Sequence, residues 1–329
     1  MTVKGLSEFL KRHNISYSGR RSSRDSKLPL TFASLKGKRV AIEGATILYK
    51  IVASAAKITV DNYTYIMKED GWTYPSDSDI LVLYRKFFRS FISRLKDSGI
   101  IPVFIVEGQS PQAKIATSQK RTSIKQNYMK EAMELRLSPN LDEFKKKITL
   151  TYKPLPIYVQ NTISILKEEG VKTLKAKYEA EGVCAYLVLN HKDVNHCDLA
   201  LCEDHDIFMY GCPIVIKNMN TAPSNVGHFE CVGYLLINIL LSMGFLSDST
   251  PDKDAYNIAV RRFRLFCILC GTDYADNIPG IGPETILKLM SEHNIITYQD
   301  AIKIEPRFSQ IPYHTIIKVL ESNFEYKEV

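Results

Sequence analysis

Asp198-Leu199-Ala200-Leu201-Cys202-Glu203-Asp204-His205-Asp206 is a short apolar run that ends in a cluster of acids. A run this short, without polar alternation, reads as a strand buried on both faces. The same figure recurs elsewhere in the chain. Arg39-Val40-Ala41-Ile42 runs into Glu43, Pro102-Val103-Phe104-Ile105-Val106 runs into Glu107, and Pro213-Ile214-Val215-Ile216 is a fourth strand. Helical stretches such as residues 80–97 separate them. Buried strands alternating with helices predict an α/β fold, with a mainly parallel central sheet covered by helices on both faces. Ligands of such folds bind at the carboxyl ends of strands, so the acids fall where a site belongs.

With 329 residues, 45% of them hydrophobic, the chain can bury a large single core or two lobes. No apolar run reaches the length of a membrane span. The best candidate, residues 234–246, is short and interrupted by Asn238 and Ser242. The N-terminus lacks the basic start and apolar core of a signal peptide. Seven irregularly spaced cysteines fit a reduced intracellular protein, with nucleus and cytoplasm both open. Cys267 and Cys270 form a single CxxC without a second pair, and read as structural because a structural zinc needs four ligands. The net charge of +7 conceals an asymmetry: residues 1–150 hold 27 Lys and Arg against 14 Asp and Glu, and the remainder is net acidic. A basic half joined to an acidic half suggests a polyanion partner held beside a cation-binding site.

Three further stretches stand out. Residues 18–27 are polar and basic and read as a mobile loop. Residues 109–147 lack strand alternation and read as solvated helices broken at Ser138-Pro139-Asn140. Cys267-Ile268-Leu269-Cys270-Gly271-Thr272-Asp273-Tyr274 places a carboxylate at the end of an apolar run. Asn277-Ile278-Pro279-Gly280-Ile281-Gly282-Pro283 then forms a glycine hairpin that opens an amphipathic helix. Such a turn bares backbone N–H groups to a phosphate.

Tyr178-Glu179-Ala180-Glu181 opens another helical stretch, so Glu179 and Glu181, like Asp204 and Asp206, bring two carboxylates within reach of one point. With Glu43, Glu107 and Asp273 they make seven acids at element termini. Clustered carboxylates repel one another and their pKa values rise. Divalent cations relieve this, and all-oxygen ligation favours Mg²⁺, with Mn²⁺ as a substitute. Two such ions, roughly 3.5–4 Å apart, would activate a water and stabilise the leaving oxygen in phosphodiester hydrolysis.

These motifs, in this order, resemble the flap endonuclease / XPG-type family of structure-specific 5′-nucleases. The likeness begins at Lys4-Gly5-Leu6 and is strongest at Glu179-Ala180-Glu181, Glu203-Asp204-His205-Asp206 and residues 267–283. The resemblance implies a PIN-like core formed by residues 1–107 and 151–329, a helical gateway over 108–150, and a helix-two-turn-helix near 270–292. It implies metal-binding roles for Glu179, Glu181, Asp204, Asp206 and Asp273, with Glu43 and Glu107 at two further acid positions. Tyr49 matches an aromatic that stacks on the substrate base near the cut. Lys114, in Pro111-Gln112-Ala113-Lys114, matches a lysine that contacts the scissile phosphate. Arg121 matches the gateway arginine; seven residues on, about two helical turns, it would share a face with Lys114. Substrate contacts are expected from Lys120, Gly280, Gly282 and Lys288, and a K⁺ ion at the helix-two-turn-helix.

The chain departs from that pattern at identifiable places. Glutamates stand at 43 and 107 where the family usually has aspartates, and Glu284-Thr285 follow the hairpin where basic residues are common. Extra residues lie between Tyr49 and Glu107, including 61–79. No Gln-x-x-Leu-x-x-Phe-Phe motif is present, so no sliding-clamp partner is expected. The expected activity is hydrolysis at 5′-flaps, nicks or gaps of duplex DNA by a monomer. The alternatives are an RNA endonuclease or 5′ exonuclease of the same family, and a nucleic-acid-binding pseudonuclease.

Overall fold

The computed structural model describes residues 3–12, 29–217 and 230–329. The expected mobile loop at 18–27 lies outside them. The strands are β1 (Pro29–Thr31), β2 (Arg39–Glu43), β3 (Met67–Lys68), β4 (Gly71–Trp72), β5 (Ile101–Val106), β6 (Lys172–Ala176), β7 (Leu199–Leu201), β8 (Ile214–Lys217), β9 (Glu230–Leu235) and β10 (Tyr326–Glu328). Eight of them form one sheet in the order β1-β9-β8-β7-β2-β5-β6-β10, and β3 and β4 pair as a separate hairpin. The five central strands are parallel. The edges β1, β9 and β10 join antiparallel, which the apolar runs did not foretell.

Alternation within the central strands sends side chains to two cores. Val40 and Ile42 of β2, with Phe104 and Val106 of β5, pack on one side of the sheet. Ala41, Val103 and Ile105 pack on the other. Both faces are therefore covered, as continuous apolar strands require. The helices are α1 (Leu6–Arg12), α2 (Gly44–Asn62), α3 (Asp77–Asp97), α4 (Ile115–Leu135), α5 (Leu141–Thr149), α6 (Pro156–Glu168), α7 (Ala180–Leu189), α8 (Leu236–Ser242), α9 (Lys253–Leu269), α10 (Pro283–Glu292), α11 (Tyr298–Ile304) and α12 (Tyr313–Ser322). Residues of α2, α3 and α6 cover the first face, and those of α7 and α9 the second. A capping box of Ser76 and Asp79 starts α3 by satisfying its first free N–H groups.

Chain order places the site. From β2 the chain moves outward to β5 and β6, then crosses back to β7 on the other side of β2. That reversal opens a crevice beyond the carboxyl ends of β2 and β7, the topological switch point of an open α/β sheet. Residues 108–150 leave this end of the sheet as α4 and α5. A small third core of Val60, Ala132, Phe144 and Ile148 ties them to the far end of α2, with Trp72 of the hairpin packed alongside. The extra residues at 61–79 thus brace α4 and α5: Trp72 Nε1 donates to Ser138 O (2.8 Å), and Arg136 Nε donates to Trp72 O (2.9 Å).

Candidate active site

Four strand ends deliver the acids. Glu43 closes β2 and caps α2, its carboxylate accepting from Thr46 N at 3.0 and 3.2 Å. The next residue, Gly44, passes so close to β5 that a Cβ there would lie 2.5 Å from Ile105 O. Glu107 follows β5 and accepts from Ala180 N (3.0 Å), so it caps the start of α7 from a neighbouring strand. Glu179 precedes α7 and Glu181 lies in its first turn. Helix N-termini favour negative charge, which helps explain how these acids tolerate burial. Beyond β7, Asp204 caps the short 3₁₀ turn His205–Tyr210, and Asp206 accepts from Val3 N (2.7 Å). Gly271, at φ +91°, turns the chain after α9 and presents Asp273; a Cβ there would meet Asn277 N at 2.7 Å.

Glu43, Glu179, Glu181, Asp206 and Asp273 are all buried. Burial raises the pKa of Glu43. Glu107 is pushed up to about 7, by burial first and then by the charges of Glu43 and Glu179. Glu181 is raised well above the usual carboxylate range by burial, with Glu107 and Glu43 adding to it. Asp206 is raised in the same way, by burial and by Asp204. Among the described residues no three His, Cys, Asp or Glu side chains already converge as a metal-holding group. A cation of the chain itself lies among them instead. Lys114 Nζ donates to Glu179 and is 3.6 Å from Asp273 Oδ2. Burial works against its ammonium, but the charges of Glu179, Glu181 and Asp273 outweigh this and raise its pKa.

The donor set passes the test for a hard divalent cation. All donors are oxygens, and Glu181 Oε2 and Asp206 Oδ2 are buried without a hydrogen-bond partner. Buried carboxylate oxygens left in this state carry a desolvation cost that a cation would offset.

Arg121 Nη2 donates to both oxygens of Asp273 (3.0 and 3.3 Å), and Thr117 Oγ1 donates to Asp273 O (2.9 Å), so the first two turns of α4 are docked on the acids. Lys114 lies in the 3₁₀ turn just before α4 and not on the helix itself, yet both it and Arg121 reach Asp273. Tyr49, half exposed on α2, lines a cleft of about 270 Å³ with Leu48, Phe104, Glu107, Lys153 and Pro154. The Lys125 ammonium sits 5.7 Å from its ring centroid. Lys120 is exposed on α4 and near enough to Asp276 to help lower its pKa, behind the larger effect of Lys4.

Gly280 adopts φ +81° and Gly282 caps α10 without a side-chain bond, with open space where a Cβ would stand. The hairpin is thus a bare backbone turn at a helix N-terminus, as its sequence indicates. Lys288 lies farther along α10, exposed and paired with Glu292 at 3.8 Å. It forms no ion pair with the seven acids among the described residues.

The sequence did not single out Tyr210, Asn323 or the side chain of Tyr274 as site residues, yet all three surround Glu179. Tyr210 OH (3.2 Å), Tyr274 OH and Asn323 Nδ2 (3.3 Å) all donate to Glu179 Oε2. Tyr274 carried a signal by its place beside Asp273. Asn323 carried none, since α12 returns it to the site from 144 residues away. All seven cysteines are free and buried, Cys267 and Cys270 among them. No described helix is long and apolar enough to cross a membrane.

Two family models match this chain: the XPG N-terminal domain over residues 1–128 and the XPG I-region over residues 170–273. Flap endonuclease 1 of Plasmodium falciparum is 27% identical over 332 residues, covering 100% of this chain and 45% of that protein. The chain spans about half the length of the curated relatives it matches. Among solved structures, the catalytic core of Rad2 in complex with DNA substrate superposes with a TM-score of 0.53 at 19% identity, covering 96% of this chain and 79% of that one. Human GEN1 in complex with Holliday junction DNA gives 0.51 at 21% identity, covering 99% and 68%. These likenesses fit the PIN-like sheet described above. Two models of one family cover most of the chain, in the order its acids occupy, and the chain belongs to the XPG-type flap endonuclease family.

Proposed function

We propose that the protein is a divalent-metal-dependent, structure-specific 5′-nuclease that hydrolyses a phosphodiester bond where single-stranded and duplex DNA meet. One observation carries this reading: acids from four strand ends and one turn lie at one end of the sheet, where Lys114 pairs with Glu179 and approaches Asp273, and Arg121 of α4 pairs with Asp273. Related structures hold a DNA substrate, in Rad2, and Holliday junction DNA, in GEN1. DNA is accordingly the proposed partner, in the form of a 5′-flap, a nick or a gap.

Glu43, Glu107, Glu179, Glu181, Asp204, Asp206 and Asp273 would hold two Mg²⁺ ions. When bound, such ions supply activation of water and neutralisation of the leaving oxygen. The chain's residues do the rest. Lys114 and Arg121 exchange their carboxylate partners for the scissile phosphate and stabilise the charge that develops on it. Tyr49 stacks on the adjacent base while Lys120 tracks the backbone. Duplex beyond the cut rests on the bare turn at Gly280 and Gly282, with Lys288 beside it and a K⁺ ion in the hairpin. Residues 108–150 form the gateway for the single strand, and residues 1–107 and 151–329 the core. The product end keeps a 5′-phosphate.

A matched panel tests the substrate assignment: a double flap, a nicked duplex, a four-way junction and a single-stranded RNA of the same sequence. The flap is expected to be cut fastest in Mg²⁺ and not at all in EDTA. Faster cleavage of the RNA, or cleavage in EDTA, would overturn the assignment.

A further inference from the structure

We propose that Asn323 is a positioning residue for Glu179, so that the turn after α12 is part of the nuclease centre. The inference rests on the metal-dependent reading above. Asn323 is fully buried although it follows the last helix of the fold. Its Nδ2 lies 2.7 Å from Tyr210 OH, 3.2 Å from Tyr274 OH and 3.3 Å from Glu179 Oε2.

Donor counting fixes the roles. Both phenols donate to Glu179 Oε2, so each phenol oxygen is left as an acceptor. The amide has two hydrogens for three acceptors. It can satisfy Tyr210 together with either Glu179 or Tyr274. The reversed amide would turn Oδ1 toward a carboxylate oxygen, and that is excluded by repulsion. With the second amide hydrogen on Glu179, one carboxylate oxygen is enclosed by three neutral donors. The other, Oε1, accepts from Lys114.

Two features show that the position is built for this residue. Gly182, in the first turn of α7, has Asn323 against it so closely that a Cβ would lie 2.6 Å from Asn323 Cβ and 2.7 Å from its carbonyl oxygen. Asn323 Oδ1 is buried without a partner, so the side chain gives up one hydrogen bond to keep its amide nitrogen on the Glu179 network. The surrounding backbone is fixed as well. Asn323 N bonds to Val319 O and Leu320 O, Lys177 N to Glu325 O (2.8 Å), and β10 adds to β6 just beyond. Lys177, Tyr178 and Glu179 therefore leave β6 under the control of the segment that carries Asn323.

Groups that orient a metal ligand from behind typically change metal affinity or activity 10- to 100-fold when removed. The test is Mn²⁺ titration, read by electron paramagnetic resonance of the free ion, on Asn323→Ala, Tyr274→Phe, Glu179→Ala and the Asn323→Ala/Glu179→Ala double variant. Circular dichroism checks folding, and Glu321→Ala, exposed in the last turn of α12, is the control for general loosening of this segment. Asn323→Ala and Tyr274→Phe are each expected to weaken Mn²⁺ binding by about tenfold or more. The control is expected to leave it unchanged, and Asn323→Ala to add nothing once Glu179 is absent. Unchanged affinity in a folded Asn323→Ala or Tyr274→Phe protein would overturn the proposal. So would full additivity with Glu179→Ala. If Asn323→Ala does not fold, Tyr274→Phe decides. Failure of the wild type to bind Mn²⁺ would instead remove the metal-dependent reading itself.

Discussion

Lys114 and Arg121 hold Glu179 and Asp273 through ion pairs, which in the proposed reaction a substrate phosphate takes over. The Lys114 ammonium occupies Glu179 and approaches Asp273, the same carboxylates proposed to bind cations. Removing it therefore has two opposite effects. Lys114→Ala is expected to lower single-turnover cleavage by about a hundredfold or more. Mn²⁺ affinity should be unchanged or tighter, because a competing cation is gone. Weaker Mn²⁺ binding in this variant would contradict the assignment. The acids also set a pH dependence. Glu107 titrates near 7 in the folded protein against about 4.5 unfolded, and Glu43, Glu181 and Asp206 shift the same way. The native state thus holds extra protons, and its stability is full below the unfolded value and lost as pH rises through 7. In EDTA the melting temperature should fall between pH 4.5 and 8. Mg²⁺ should reduce that fall, because it replaces the protons. A melting temperature that rises over this range in EDTA would refute the sign. Glu43, Glu107 and the pair at 204/206 were legible because each stands at the end of an apolar run, and the pair at 179/181 because it opens a helical stretch. Tyr210 and Asn323 were not, because hydrogen bonds across 113 and 144 residues leave no local pattern.

At the scale of elements, α4 is held by unusual means for a helix of 21 residues. Among its described side chains only Ala132 is fully buried. Apolar burial normally stabilises a helix in a protein, so the N-terminal part of α4 depends on polar ties at its base and middle. Those ties are Lys114, Thr117 and Arg121 to the acids and their loop, and Lys125 Nζ to Leu150 O (2.6 Å). Arg121→Ala should therefore speed amide exchange across the first turns of α4 and leave α3 unchanged, since α3 buries a full apolar face. Equal protection of α4 in the variant and wild type would show that the helix does not need this tie. Polar composition made α4 and α5 readable as solvated helices. The tertiary ties that orient α4 were not readable, because Asp273 is 152 residues from Arg121. The same limit explains the edge strands. Residues 326–328 are short and charged, and become β10 only because the edge of β6 offers them a ladder.

Across the whole molecule, charge is divided between a basic first half and an acidic remainder, and the fold brings the two together at one end of the sheet. Residues from both halves meet directly: Val3 N bonds to Asp206, Lys4 N to Gly271 O (3.0 Å), and Glu107 to Ala180 N. Binding of flap DNA should weaken steeply with salt, with a slope near −0.9 per phosphate contact. Lys288→Ala should change that slope by no more than about one contact, because Lys288 stands at the rim and pairs within its own helix. A larger change would contradict this peripheral role for Lys288. The acids at the strand ends are proposed to form a metal-dependent nuclease centre. Its most direct test is cleavage of a 5′-labelled double-flap DNA in Mg²⁺ by wild type, Asp204→Asn, and the Glu43→Asp/Glu107→Asp double variant. The expected result is cleavage by wild type, none by Asp204→Asn at unchanged fold, and retained cleavage by the double-aspartate variant. Undiminished cleavage by Asp204→Asn, or an inactive wild type with activity appearing only in the double-aspartate variant, would contradict it.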